Sequence, residues 1–310
     1  MKFEVSILGT NAAIPAYDRM LSAQVFNNDN RIYLIDCGES TQLQLKKLKI
    51  NKNKIRQIFI SHLHGDHIFG LPGLITSFGL LGRDHPLEIF APAGMKAWLE
   101  ATFKYSYSGV PYELIITEVD PTIHQLIYED QHVDVFTIPL EHRIPTCGYL
   151  FREKPVLPKI IPAQIEKYGL SIEAIKKIKY QGEDYVDQHG NVIPNSEMTT
   201  PPPYPRSYAY CSDTAYSERI IPWIEGVDLL YHESTYMQKH LANAIQSKHS
   251  TAIQAANIAA AAGVGQLLLG HYSSRYQNLL PLLEEAKSVF PNTFLAEEEK
   301  SFGVERRYPV

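Results

Sequence analysis

Polar and apolar residues alternate along Phe3–Leu8, and compact apolar stretches follow at Ala23–Phe26 and Ile32–Ile35, a pattern that predicts three short strands. The turn between the last two, Asn27-Asn28-Asp29-Asn30, consists of residues that tolerate left-handed backbone and bond their own main chain. Over Glu39–Ile50, Leu43, Leu45, Leu48 and Ile50 recur among Lys46, Lys47 and Lys49. This predicts a helix whose basic face is either simply solvated or an RNA contact. Further on, the pattern predicts helices over Gly70–Leu81 and Met95–Tyr105 with a strand at Leu87–Phe90 between them. The three apolar runs from Glu113 to Ile138 read as a meander. Later strands are predicted at Tyr208–Tyr210, Val227–Tyr231 and Gln266–Gly270, and helices at Ala252–Ala262 and Leu279–Val289. Thr251 and Gln254 form a capping-box pattern at the start of the first of these helices, and Gly263 stops it.

One strand breaks the regular pattern. Ile58-Phe59-Ile60 runs straight into Ser61-His62-Leu63-His64-Gly65-Asp66-His67. Burying that many polar side chains without partners would cost several kcal/mol, so they need something to bind. Neutral imidazoles and a carboxylate suit zinc or a similar divalent ion. The H-x-H-x-D-H spacing offers more donors than one tetrahedral ion takes from a single loop, which implies two adjacent metals. Gly65 is expected to use its freedom at positive φ to turn the flanking ligands inward. Three more ligand-type residues lie just past strand ends: His142 after Val133–Ile138, Asp213 after Tyr208–Tyr210, and His271 after Gln266–Gly270. Strands that each deliver such a residue at the same end point to one shared site. His249 precedes the capped helix, whose free N–H groups are expected to favour a phosphate oxygen. Glu233 either orients His249 or is a buried carboxylate holding His232 or a backbone amide.

Composition narrows the setting. With 310 residues and 45% hydrophobic content, the chain can bury a substantial core. No apolar run reaches membrane-spanning length, and the N-terminus does not resemble a signal peptide, so no membrane partner and a cytoplasmic location are expected. Three well-separated cysteines, Cys37, Cys147 and Cys211, make no disulfide framework and fit a reducing compartment. The net charge of −5 argues against nucleic acid only as a chain average. Between Arg152 and Arg206 lysine and proline rise, and the segment reads as an insertion with a helix near Ile165–Ile178. Arg152–Lys179 holds seven basic and three acidic residues, a local +4 that leaves −9 for the rest. Concentrated positive charge of this kind suits a phosphate-rich ligand, the alternative being a solubilising linker helix.

The His62–His67 loop resembles the signature of the metallo-β-lactamase superfamily. That resemblance implies an α/β fold, a four-layer αβ/βα sandwich spanning 1–310 with a binuclear zinc site. Gly9-Thr10-Asn11-Ala12, His232-Glu233-Ser234-Thr235, His249-Ser250-Thr251 and Gly270-His271-Tyr272-Ser273-Ser274-Arg275-Tyr276 together resemble the ribonuclease Z family. By position, the resemblance implies one zinc held by His62, His64 and His142, a second held by Asp66, His67 and His271, and Asp213 as the bridge. It further implies Asp66 as the base for the attacking water and His249 as proton donor to the leaving oxygen. The reaction implied is cleavage of the 3′ trailer from precursor tRNA, leaving a 3′-hydroxyl on the tRNA and a 5′-phosphate on the trailer. The basic insertion, 152–200, falls where that family has its protruding tRNA-gripping arm, and a homodimer is implied. The tip, Tyr168–Ala174, lacks the family's glycine and proline-rich sequence. The competing reading is another hydrolase of the superfamily, arylsulfatase-like or phosphodiesterase-like, acting on a small substrate. A third is a non-enzymatic RNA-binding or scaffold protein with a vestigial site.

Overall fold

The structure is a computed structural model that describes residues 2–309. Its larger unit comprises residues up to Arg152 and Ser207–Val304. Six strands enter the first sheet in chain order: β1 (Phe3–Gly9), β2 (Ala23–Asn28), β3 (Arg31–Ile35), β4 (Ile55–Phe59), β5 (Leu87–Pro92) and β6 (Leu114–Val119). The last strand of the chain, β18 (Ser301–Gly303), joins the edge of this sheet beside β1. The antiparallel part, through β2–β3, gives way to parallel pairing from β3 to β6. Asp29 and Asn30 take the expected left-handed backbone, at φ 51° and 69°, in the tight turn between β2 and β3.

The second sheet contains β7 (Leu126–Glu129), β8 (Val133–Pro139), β9 (Cys147–Glu153), β14 (Ser207–Cys211), β15 (Leu229–Glu233), β16 (Gln266–Gly270) and β17 (Thr293–Leu295), with parallel pairing from β14 to β17. The expected meander over Glu113–Ile138 is therefore divided. β6 lies parallel to β5 in the first sheet, and only β7 and β8 form an antiparallel pair, in the second. Three short apolar runs in succession do not reveal that the chain changes sheets between the first and second of them.

Inward-facing aromatics from both sheets, including Phe26, Tyr33, Phe59, Tyr149, Phe151, Tyr208 and Tyr231, form the central core. The outer face of the first sheet packs against helices Leu71–Leu80 and Met95–Tyr105, and that of the second against Ala252–Ala261 and Leu280–Lys287. The layers are thus helix, sheet, sheet, helix. The alanines of Ala252–Ala261 make that helix slim, so Ala252, Ala255, Ala256 and Ala259 are all buried against the sheet.

A second compact unit is formed by Glu153–Arg206 with the C-terminal residues from Glu305. It contains β10 (Lys159–Ile160) paired with β13 (Thr199–Thr200), and β11 (Tyr185–Val186) paired with β12 (Val192–Ile193), around a small core of Leu170, Ile178, Ile193 and Met198. The expected helix over Ile165–Ile178 is interrupted. Helix Pro162–Tyr168 ends at Gly169, which is left-handed at φ 57°, and Ser171 caps the next helix, Ile172–Lys176. The buried Arg206 guanidinium donates to the Glu153 carboxylate at 3.0 Å, and Arg306 approaches the same carboxylate at 3.5 Å. The charge of this unit also differs from expectation. Residues 152–200 carry seven basic and seven acidic residues, because Glu183, Asp184, Asp187 and Glu197 follow the lysines. The positive charge is local to the helical half, at Lys167, Lys176, Lys177 and Lys179.

Candidate metal centre

Every residue that the sequence singles out as a ligand lies in a segment that follows a strand of the larger unit. β4 ends at Phe59, and the loop after it carries His62 and His64 before the short helix Gly65–Ile68 brings in Asp66 and His67. Gly65 is not in the left-handed region. A Cβ there would lie 2.3 Å from the ring of Phe69, an exposed side chain with room to swing away, so the expected need for glycine is not met at this position. Asp213 and His271, following β14 and β16, do take left-handed backbone, each at φ 57°. A non-glycine residue in that conformation carries strain that surrounding structure must hold, a frequent mark of a functional position.

His62, His64, His142 and Asp213 form one group of possible ligands, and Asp66, His67 and His271 form another. Asp213 faces both. Its Oδ2 lies 3.6 Å from His62 Nε2 and 3.7 Å from His142 Nε2, and its Oδ1 lies 3.2 Å from His67 Nε2 and 3.0 Å from His271 Nε2. Asp66 Oδ2 is 3.6 and 3.7 Å from the same nitrogens of His67 and His271.

The far side of three of the imidazoles is fixed. His67 Nδ1 donates to Asp36 at 2.7 Å and His142 Nδ1 to the Lys248 carbonyl at 2.9 Å. His271 Nδ1 donates to Thr235 Oγ1 at 3.0 Å. These bonds turn the Nε2 lone pairs of all three rings toward the Asp213 carboxylate, and none of these buried nitrogens has a hydrogen-bond partner. Three buried, aimed and unpartnered nitrogens are costly unless a cation occupies the space between them, so the donor set fits a metal. The titration environment agrees. Burial holds His62, His64 and His142 below the ordinary imidazole range, hence neutral, as ligands must be. Burial would lower His67 too, but Asp213, Asp36 and Asp66 raise it well above that range, so a cation there has to displace its proton. Burial alone would raise Asp213, but His271, His67 and His62 hold it well below the usual carboxylate range.

Asp36 is the residue that the sequence did not disclose. Wholly buried after β3, it accepts from the Ser61 amide and hydroxyl, Tyr210 and His67 at once, and so fixes the ring of His67. A lone aspartate before Cys37-Gly38 carries no ligand spacing. Only its position after a buried strand, shared with Asp213, sets it apart.

His249 sits beside the centre, its ring centroid 5.0 Å from that of His142 and 5.4 Å from that of His271. Glu233 fills both of the roles left open for it. Its Oε1 accepts hydrogen bonds from His249 Nδ1 at 2.7 Å and the Thr214 amide at 2.8 Å, and its Oε2 accepts from the Thr235 hydroxyl and the Ser250 amide. Burial opposes a charged His249, but the Glu233 carboxylate and its hydrogen bond outweigh this and push the imidazole up to about 9. The expected free N–H groups at the following helix start are occupied. Ser250 N donates to Glu233, Thr251 N to the Gln254 side chain, Ala252 N to the Tyr236 carbonyl, and Gln254 N to Thr251 Oγ1. The carboxylate that reaches this turn, through Ser250 N, is Glu233. Arg275 makes no ion pair among the described residues and lies over the Tyr236 ring at 5.2 Å. The Gly9–Ala12 segment serves the frame: Asn11 and Tyr272 form a bridge that ties it to the Gly270–Tyr276 segment.

A sheet sandwich with helices on both outer faces, and a histidine-aspartate cluster at its strand ends, defines a protein of the metallo-β-lactamase fold. The metallo-β-lactamase fold protein YhfI from Bacillus subtilis has the same fold, with a TM-score of 0.69 at 20% identity over 98% of this chain and 100% of that one. The short form of human tRNase Z matches with a TM-score of 0.69 and 25% identity, over 99% of this chain and 100% of that one. A family model described as the anti-Pycsar protein Apyc1 matches residues 3–109, which include the His62–His67 loop but not His142, Asp213 or His271. Ribonuclease Z of Parabacteroides distasonis is 46% identical over 302 residues, covering 97% of this chain and 99% of that protein. The chain belongs to the ribonuclease Z family.

Proposed function

We propose that the protein is a metal-dependent endoribonuclease that removes the 3′ trailer from precursor tRNA. The observation that carries this reading is the convergence of three unpartnered Nε2 atoms and two carboxylates on one point, in a chain so similar along its length to a ribonuclease Z. His62, His64 and His142 would hold one zinc ion and Asp66, His67 and His271 a second, with Asp213 shared between them. Two divalent ions bound there supply a water of lowered pKa and neutralise charge on the phosphate.

The side chains of the protein do the rest. Asp66, steadied by the Ala13 amide on its Oδ2 at 2.8 Å, accepts the proton of the attacking water. His249, kept protonated by Glu233, donates from Nε2 to the departing ribose 3′ oxygen. Attack by water leaves a 3′-hydroxyl on the tRNA and a 5′-phosphate on the trailer, with no use for the 2′-hydroxyl.

The unit around Glu153–Arg206 is read as the tRNA-binding arm, its lysines at 167, 176, 177 and 179 meeting backbone phosphates. The active form is read as a homodimer, for which exposed Phe69, Leu80 and Leu81 offer apolar surface, and its location as the cytoplasm, which suits three free cysteines. Among the described residues no helix is long and apolar enough to cross a membrane. Incubation of zinc-loaded protein with a trailer-bearing precursor, followed by mapping of both new ends, tests the assignment. A 3′-hydroxyl at the tRNA boundary is expected, and an uncut precursor contradicts it.

A further inference from the structure

Beside the metal centre lies a second, larger cavity that none of the roles above uses. The centre itself opens into a space of about 280 Å³ bordered by His64, Asp66, Asp213, His249, His271 and Arg143. The neighbouring cavity, about 500 Å³, is lined by His142, Arg143, Thr122, Ser217, Arg219 and Trp223 among others. Arg143 borders both, so the two spaces meet along the segment that delivers His142.

Two features of its lining bear on what could enter it: a pair of unpaired cations, and an indole that also packs against the core. The guanidinium groups of Arg143 and Arg219 are exposed and make no ion pair or hydrogen bond among the described residues. Trp223 ends a column of stacked rings. Phe136 lies against His124 at 5.4 Å and 19°, and His124 against Trp223 at 5.5 Å and 14°, with the His124 ring bonded to the Thr137 carbonyl. The Arg152 guanidinium closes the far end over Phe136 at 5.8 Å. The stack is thus anchored behind, and its last plane, the half-buried indole, borders the cavity.

A flat aromatic plate with unpaired guanidinium groups nearby is the chemistry that receives an unpaired nucleotide: the base stacks and the cations meet the phosphate. A volume of about 500 Å³ is in the range of small-molecule pockets. We infer that this cavity seats the unpaired nucleotide next to the scissile phosphate, with its base on Trp223 and its phosphate met by Arg143 and Arg219. The inference rests on the ribonuclease reading of the centre and adds to it a residue that positions the strand. Which flanking nucleotide enters, the last of the tRNA or the first of the trailer, is decided by the experiment.

The chain has two tryptophans, so Trp98→Phe leaves Trp223 as the sole indole emitter. Precursor binding to that variant is expected to quench its emission, and an abasic substitution at the nucleotide that enters the cavity is expected to abolish the quenching. Trp223→Ala is expected to lower kcat/KM on intact precursor about tenfold. It should cause no further loss on the abasic precursor, and Trp223→Phe should restore most of the rate. Arg219→Ala is expected to reduce the slope of log affinity against log salt by about one. Emission that stays unquenched at saturating precursor, or a Trp223→Ala loss equal on intact and abasic substrates, overturns the inference. Wild-type protein that leaves every precursor uncut would instead remove the ribonuclease reading, and this inference with it.

Discussion

The Glu233 carboxylate is wholly buried and accepts from His249, Thr214, Thr235 and Ser250 together. In the folded protein it keeps His249 charged up to about pH 9, whereas an unfolded chain would lose that charge near 6.5. A raised imidazole pKa contributes stability that is fully present below about pH 6.5 and is lost as pH rises through about 9. Glu233→Gln is therefore expected to lower the His249 pKa, read by NMR titration of metal-free protein, and to move the alkaline limb of the rate profile to lower pH. The amide also turns a donor toward backbone N–H groups, at a cost of about 1–3 kcal/mol in denaturant unfolding. An unchanged titration would show that Glu233 does not control His249. At this scale the sequence was most legible where ligand spacing was dense, as in His62–His67, and where a polar residue ends an apolar strand, as with Asp213 and His271. Asp36 escaped because its four hydrogen bonds come from segments distant in the chain, and no local pattern encodes them.

Among the elements, the short helix Gly65–Ile68 carries two candidate ligands, and its position depends on backbone packing at Gly38. A Cβ on Gly38 would lie 2.4 Å from the Asp66 carbonyl oxygen, which is main chain and cannot rotate away. Gly38→Ala is expected to displace Asp66 and weaken metal binding at least about tenfold, in line with the loss of a supporting contact. Competition with a chromogenic chelator measures this, and wild-type affinity in the variant would contradict it. The capping box at Thr251 is formed as the sequence indicated, with the Thr251 and Gln254 side chains each bonding the other's amide. Thr251→Ala should cost about 1 kcal/mol, read as a shift in the denaturation midpoint. Helix and strand positions follow from apolar periodicity. The change of sheets between β6 and β7 does not, because it depends on partners far along the chain. The break at Gly169 is local, set by the left-handed glycine and the Ser171 cap, which apolar periodicity alone does not register.

For the whole molecule, the sandwich was legible through its metal-loop motif more than through its strands, whose assignment to one sheet or the other needs long-range pairing. The inserted segment was legible as a compositional change. Its net charge is not legible from the helical half, because the lysines precede the acids in sequence and a window ending at Lys179 misses Glu183, Asp184, Asp187 and Glu197. If the arm grips tRNA, the lysines alone must do it. Joint replacement of Lys176, Lys177 and Lys179 by glutamine is then expected to raise KM for precursor about tenfold near physiological salt, with hydrolysis of a small phosphodiester persisting. An unaltered KM would remove the arm from the account. The central claim is that Asp213 joins two metal positions in one site, and metal content per chain tests it most directly. Elemental analysis of zinc-replete protein should give two ions per polypeptide, and fewer in Asp213→Ala; less than one ion in the wild-type chain would contradict the two-metal centre.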